Sequence, residues 1–156
     1  MPSLEDYETL LRRLGQLERE TERLSAQETG RFVPLTTPLT STSWDGDSYS
    51  TVSTSTELDL YEVFGVPKFA KAVRMQVVCQ DSAAWGTGGL VFQCGPTSGN
   101  YFAFDTRPAG GDVLISNHAV VPCSLDANNN PTVWYRINAS GSLTMDIWVR
   151  IWGYWL

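Results

Sequence analysis

The stretch Leu143-Thr-Met-Asp-Ile-Trp-Val-Arg-Ile-Trp152 decides the fold. Leu143, Met145, Ile147, Val149 and Ile151 alternate strictly with Thr144, Asp146, Trp148, Arg150 and Trp152. Side chains on a strand point to opposite faces with a period of two, so one face of this segment lies on an apolar core. The other face carries Trp148, Arg150 and Trp152, with Tyr154 and Trp155 beyond. That is too aromatic for ordinary solvent-facing surface.

Working back from this strand, the same signals recur. Thr132 to Ile137 reads as a strand, and Asp126 to Pro131 as the turn before it. Val113 to Ser116 and Ala119 to Cys123 read as short strands flanking Asn117-His118. Leu90 to Cys94 and Tyr101 to Phe104 read as strands separated by Gly95-Pro96 and Ser98-Gly99-Asn100. Ala72 to Gln80 places Val73, Met75, Val77 and Cys79 on one face and Arg74, Gln76 and Gln80 on the other. Tyr61 to Pro67 reads as a bend with a turn of helix. A first, polar strand falls near 48 to 55, after a tight Asp45-Gly46-Asp47 turn. Short strands at regular spacing, divided by Gly and Pro turns, predict an antiparallel β-sandwich of jelly-roll type over 48–156. Six residues each of Trp, Tyr and Phe suit such pleated surfaces.

The N-terminus has a different period. Tyr7, Leu10, Leu14, Leu17, Thr21 and Leu24 recur at alternating spacings of three and four, the seam of a short coiled coil. Ser3 and Asp6 form a capping box, and Gly30 with Pro34 ends the helix. Leu4 and Leu11 widen the seam, which favours three strands over two, whereas Thr21 and Gly15 weaken it. The expected organisation is an oligomerisation and attachment helix over 1–30, a Pro/Ser/Thr-rich connector over 31–47 and the β domain behind it. The helix packing back on its own β domain is the competing arrangement.

Composition narrows the function. The 156 residues carry a formal net charge of -6, and only Lys68, Lys71 and Arg74 cluster, so nucleic acid is not an expected partner. Met1-Pro2-Ser3 leads into Glu5, Asp6 and Glu8, unlike a secretion leader, and no apolar run reaches the roughly 20 residues of a membrane span. Cys79, Cys94 and Cys123 are odd in number and lie in strand-like segments, which favours buried free thiols.

No constellation suggests catalysis. The single histidine, His118, sits between Asn117 and Ala119, and no Gly-x-Ser-x-Gly elbow exists. Acidic residues of the β region fall mostly in turns; Asp146, mid-strand, is expected to pair with Arg150 rather than serve a glycosidase. Asp126-Ala-Asn-Asn-Asn130 lacks the glycine and glutamate of a calcium loop. We therefore expect no enzyme, no catalytic residues, no cofactor and no metal. The strip Trp148, Arg150, Trp152 and Tyr154 is the feature most suited to contact. It reads as a subunit interface, a sugar-stacking platform or a second core face.

A capped helix of a few heptads, a Thr/Ser/Pro connector and a β domain ending in an aromatic strand resemble the small virion proteins of tailed bacteriophages. The stretch from Val33 to Asp47 and the ending Asp146-Ile-Trp-Val-Arg-Ile-Trp-Gly-Tyr-Trp-Leu156 carry the likeness. It implies a homotrimer in the virion, made in the host cytoplasm. The helix would bind other virion proteins, and the β domain would face outward, towards a host surface glycan in a short tail fibre. Alternative expectations are a capsid decoration or head-fibre protein and a lectin-like module of a cellular protein. A small polysaccharide-degrading enzyme is the remaining rival.

Overall fold

The computed structural model describes residues 7, 11, 13–18, 30–82, 89–109 and 111–156. The chain divides into two units, Met1–Arg31 and Phe32–Leu156. In the first unit, residues 13–18 are helical, as are Tyr7 and Leu11. Tyr7, Leu11, Leu14 and Leu17 are all more than half exposed. Leu10, Thr21 and Leu24, the rest of the expected seam, lie outside the described residues.

The second unit is built of antiparallel strands in two sheets. The long terminal strand β10 (Met145–Trp155) is central to the first. One of its edges takes β4 (Ala72–Asp81), which pairs in turn with β7 (Ile115–Pro122). The other edge takes β1 (Phe32–Leu39) and β2 (Asp45–Tyr49) end to end: Phe32 lies opposite Trp155, and Tyr49 opposite Met145. The second sheet has the order β3 (Val52–Asp59), β9 (Pro131–Asn138), β5 (Val91–Gly95), β6 (Phe104–Thr106). The short β8 (Ser124–Leu125) also pairs with β9. Consecutive strands repeatedly cross from one sheet to the other.

Most of segment 31–47, expected as a connector, is instead edge strand: β1 and the start of β2. Pro34 and Pro38 do not prevent this, because an edge strand has one side on which a missing N–H goes unnoticed. Between β1 and β2 a 3-10 turn, Thr42–Trp44, drops Trp44 into the interior. Its indole stacks on Tyr49 at 4.8 Å and meets Tyr135 edge-on at 5.1 Å. Phe92 meets it edge-on, 5.9 Å between ring centroids. Residues of both sheets therefore close on one indole, and a single apolar cluster runs through them, including Met75, Val77, Phe92, Ile137, Ile147 and Ile151.

Local chemistry explains the remaining joints. Asp59 caps the one-turn helix α1 (Leu60–Phe64): its Oδ1 accepts from the N–H groups of Tyr61 and Glu62. Gly65, at φ +75°, ends the helix in the left-handed conformation that glycine adopts without steric cost. Asp81, fully buried at the end of β4, accepts from the backbone N–H and hydroxyl of Ser140 and so ties down the loop between β9 and β10. The same loop holds Leu143, which is exposed with a positive φ and does not belong to the strand. Asn117-His118, expected as a break, lies inside β7, an unbroken eight-residue strand.

Candidate functional site

Four residues, Trp148, Arg150, Trp152 and Tyr154, are expected on one face of the last strand. The structure brings three together. Against β4, register runs without interruption from Met145 to Ile151, then shifts: Ile151 lies opposite Met75, and Gly153 opposite Arg74. Trp152 is the extra residue of a β-bulge, and beyond it the two faces exchange. Tyr154 consequently lies opposite the buried Val73 and packs against the core.

The three residues left on the outer face are only partly exposed. The indole of Trp148 lies on Gly46 of β2, where a Cβ would sit 2.8 Å from ring atoms. Trp152 donates through Nε1 to Oε1 of Gln76 at 2.9 Å, and Gln76 donates to Oγ of Ser116 at 3.0 Å. This chain of hydrogen bonds crosses β10, β4 and β7. Arg150 stands between Trp148 and Trp152 along the strand and forms no ion pair among the described residues. Asp146, its expected partner, accepts from Ser48 Oγ instead. Past the bulge, Trp155 packs on Phe32 at 4.3 Å between ring centroids. The aromatic strip therefore covers its own sheet as much as it offers surface.

The second sheet presents a concavity that the sequence did not announce. On its outer face lies a pocket of about 350 Å3, lined by Thr51 and Ser53, Val91 and Gln93, and Arg136 and Asn138. It owes its shape to a second irregularity. Val52 lies opposite Ile137 and Thr56 opposite Tyr135, so β3 spends Ser53, Thr54 and Ser55 against Arg136 alone. The edge strand bows there, as bulged edges do. The guanidinium of Arg136 lies 4.9 Å from the centre of the Tyr101 ring and donates through Nη1 to the Tyr101 hydroxyl at 2.5 Å. Phe102, more than half exposed, meets Tyr101 edge-on. A bowed edge strand is a spatial property, and no local motif marks it.

The other reactive groups are poorly placed for chemistry. Cys79 and Cys94 are buried, and all three cysteines are free. Burial pushes the Cys79 thiol up to about 12, which disfavours the thiolate. His118 is exposed on β7 opposite Gln76. Among the described residues no three potential metal-ligating side chains converge, and no helix is long and apolar enough to cross a membrane. No protein-family model matches the sequence, and neither a curated protein nor a solved structure matches the chain.

Proposed function

We propose that this chain is a structural protein of a tailed-phage particle, a short homotrimeric fibre. Its N-terminal helix joins the copies and attaches them, and its β domain meets the host surface. The observation that carries this reading is the apolar stripe of the N-terminal helix. Tyr7 and Leu14, both expected seam positions, are 59% and 54% exposed, and Leu11 beside them is 68% exposed. Such a stripe gains by burial against copies of itself, at roughly 25 cal/mol per Å2 of apolar surface covered.

The strand order supports a β domain of jelly-roll type. The sheets run β1/β2-β10-β4-β7 and β3-β9-β5-β6, with the chain alternating between them. Jelly-roll sandwiches serve as capsid and lectin domains. Three copies on one axis would raise the avidity of a weak site without any new contact.

A substitution within the stripe tests this reading. Leu14→Asp puts a charge into the seam, so sedimentation velocity should show the variant as a monomer while its β-sheet circular dichroism stays unchanged. A Leu14→Asp chain that sediments like the original would remove the helix from the assembly. A capsid decoration role would share the trimer but bind particles rather than host surface, so co-sedimentation with host cells, lost from cells without surface polysaccharide, separates the fibre from it.

A further inference from the structure

We infer that the pocket on the outer face of the second sheet is a binding site for a carboxylate-bearing sugar, with Arg136 holding the carboxylate. The inference deepens the outward-facing role proposed above, but it stands on the geometry of the β domain alone.

The argument begins with charge. Arg136 is partly buried, in a chain whose formal net charge is -6, and it has no carboxylate partner among the described residues. The acidic residue nearest in register is Asp105, opposite Gln93, which is itself opposite Arg136. Asp105 is engaged elsewhere, by Arg107 at 2.9 Å. Taking a guanidinium out of water is costly unless its donors find acceptors. Of its five N–H donors, one meets the Tyr101 hydroxyl, and the aromatic ring offsets part of the cost. The remaining donors form a planar fork that fits a carboxylate in bidentate fashion.

The rest of the lining suits hydroxyl groups. The Ser53 hydroxyl and Gln93 amide make no hydrogen bond among the described residues, and both can donate and accept. Asn138 spends its amide N–H on the Gly89 carbonyl, leaving Oδ1 as an acceptor. Val91 supplies an apolar patch on which the apolar face of a sugar ring can rest, and the Tyr101 ring holds the guanidinium of Arg136 in place. The volume of about 350 Å3 is at the small end of the roughly 300 to 1,000 Å3 of ligand pockets, a size for a single sugar unit. An acid-rich polymer and a free sugar acid share this chemistry.

Titration of the full chain by isothermal calorimetry tests the site, with sodium D-glucuronate, sodium N-acetylneuraminate, D-glucose and sodium acetate as probes. At least one sugar acid should bind, with D-glucose weaker by about tenfold or more, the worth of the charge-assisted hydrogen bond it lacks, and acetate weaker by a similar factor, for want of the hydroxyl contacts. Arg136→Gln should remove that preference, and Gln93→Ala, a change on the sheet surface, should weaken sugar-acid binding several-fold while leaving acetate unchanged. If Arg136→Gln fails to fold, the Gln93→Ala result decides. Neither sugar acid binding, or acetate binding as tightly as the sugar acids, would overturn the proposal. A polymer of glucuronate binding more tightly per residue than the free sugar would identify a surface polysaccharide as the source; equal affinity would identify a free acid. Failure here leaves the sedimentation of the assembly unchanged, and a monomeric chain that still binds sugar acid would count only against the fibre.

Discussion

Tyr154 lies opposite Val73, a fully buried residue of β4, although Trp152 only two positions earlier points away from the core to hydrogen-bond Gln76. The bulge at Trp152 thus turns one end of β10 inside out. Two aromatic residues of similar size should respond differently to truncation. Tyr154→Ala should cost about 2 to 3 kcal/mol, as loss of a large side chain packed on a core does. Trp152→Ala should cost about 1 kcal/mol, the scale of its hydrogen bond. Urea denaturation checks the order; equal losses would place both residues in the same environment.

Trp44 links the two sheets, in contact with Tyr49, Phe92 and Tyr135. Trp44→Ala should destabilise the β domain by about 3 to 5 kcal/mol. Trp44→Phe should recover most of that, since edge-on ring contacts survive. A thermal shift of the two variants relative to the original chain reads this directly. A Trp44→Ala chain as stable as the original would mean that the indole is dispensable to the core.

How much of this was legible in the sequence depends on how local each signal is. Strands β4 and β10 declare themselves by alternation, because each has one face on the core. The class of fold, mainly β with antiparallel sheets, follows from them. Segment 31–47 did not read as strand, because β1 pairs along one edge only and tolerates Pro34 and Pro38. The Asn117-His118 pair looked like a turn, yet pairing with Gln76 and Val77 keeps β7 extended through it. The grouping of Tyr154 with Trp148 failed because a bulge is fixed by cross-strand register, which the alternation of one strand cannot reveal. The pocket was invisible for the same reason: Ser53, Gln93 and Arg136 lie on three different strands and meet only in the folded sheet.

The carboxylate of Asp81 holds the β9–β10 loop from inside the protein. Asp81→Ala leaves the Ser140 N–H and hydroxyl without that acceptor. Losing these hydrogen bonds to a charged acceptor should cost about 1.5 to 3 kcal/mol. Hydrogen exchange should localise the change to residues 139–145. Uniform loss of protection across both sheets would show instead that Asp81 acts on the whole core.

Burial of the thiols sets a pH dependence. The Cys79 thiol moves from an ordinary 9.0 up to about 12, through desolvation. Cys94 is pushed up in the same direction, chiefly by burial and then by Cys123. Tyr49 follows, through burial first and the Asp47 charge second. A group whose pKa is raised on folding contributes its full stability below its unfolded pKa. That contribution is lost as pH climbs through the folded value. The urea midpoint should therefore show no loss from these groups up to about pH 9 and fall between about 9 and 12. At pH 8, Cys79 and Cys94 should react with a thiol reagent only after denaturant is added. Rapid labelling of both in the native protein would contradict their burial.

The most direct test of the account is the solution mass of the full chain and of the piece Phe32–Leu156, by light scattering after size exclusion. The account predicts a trimer for the full chain and a monomer for the piece. A monomeric full chain would contradict it, and trimers in both would move the assembly from the helix to the β domain.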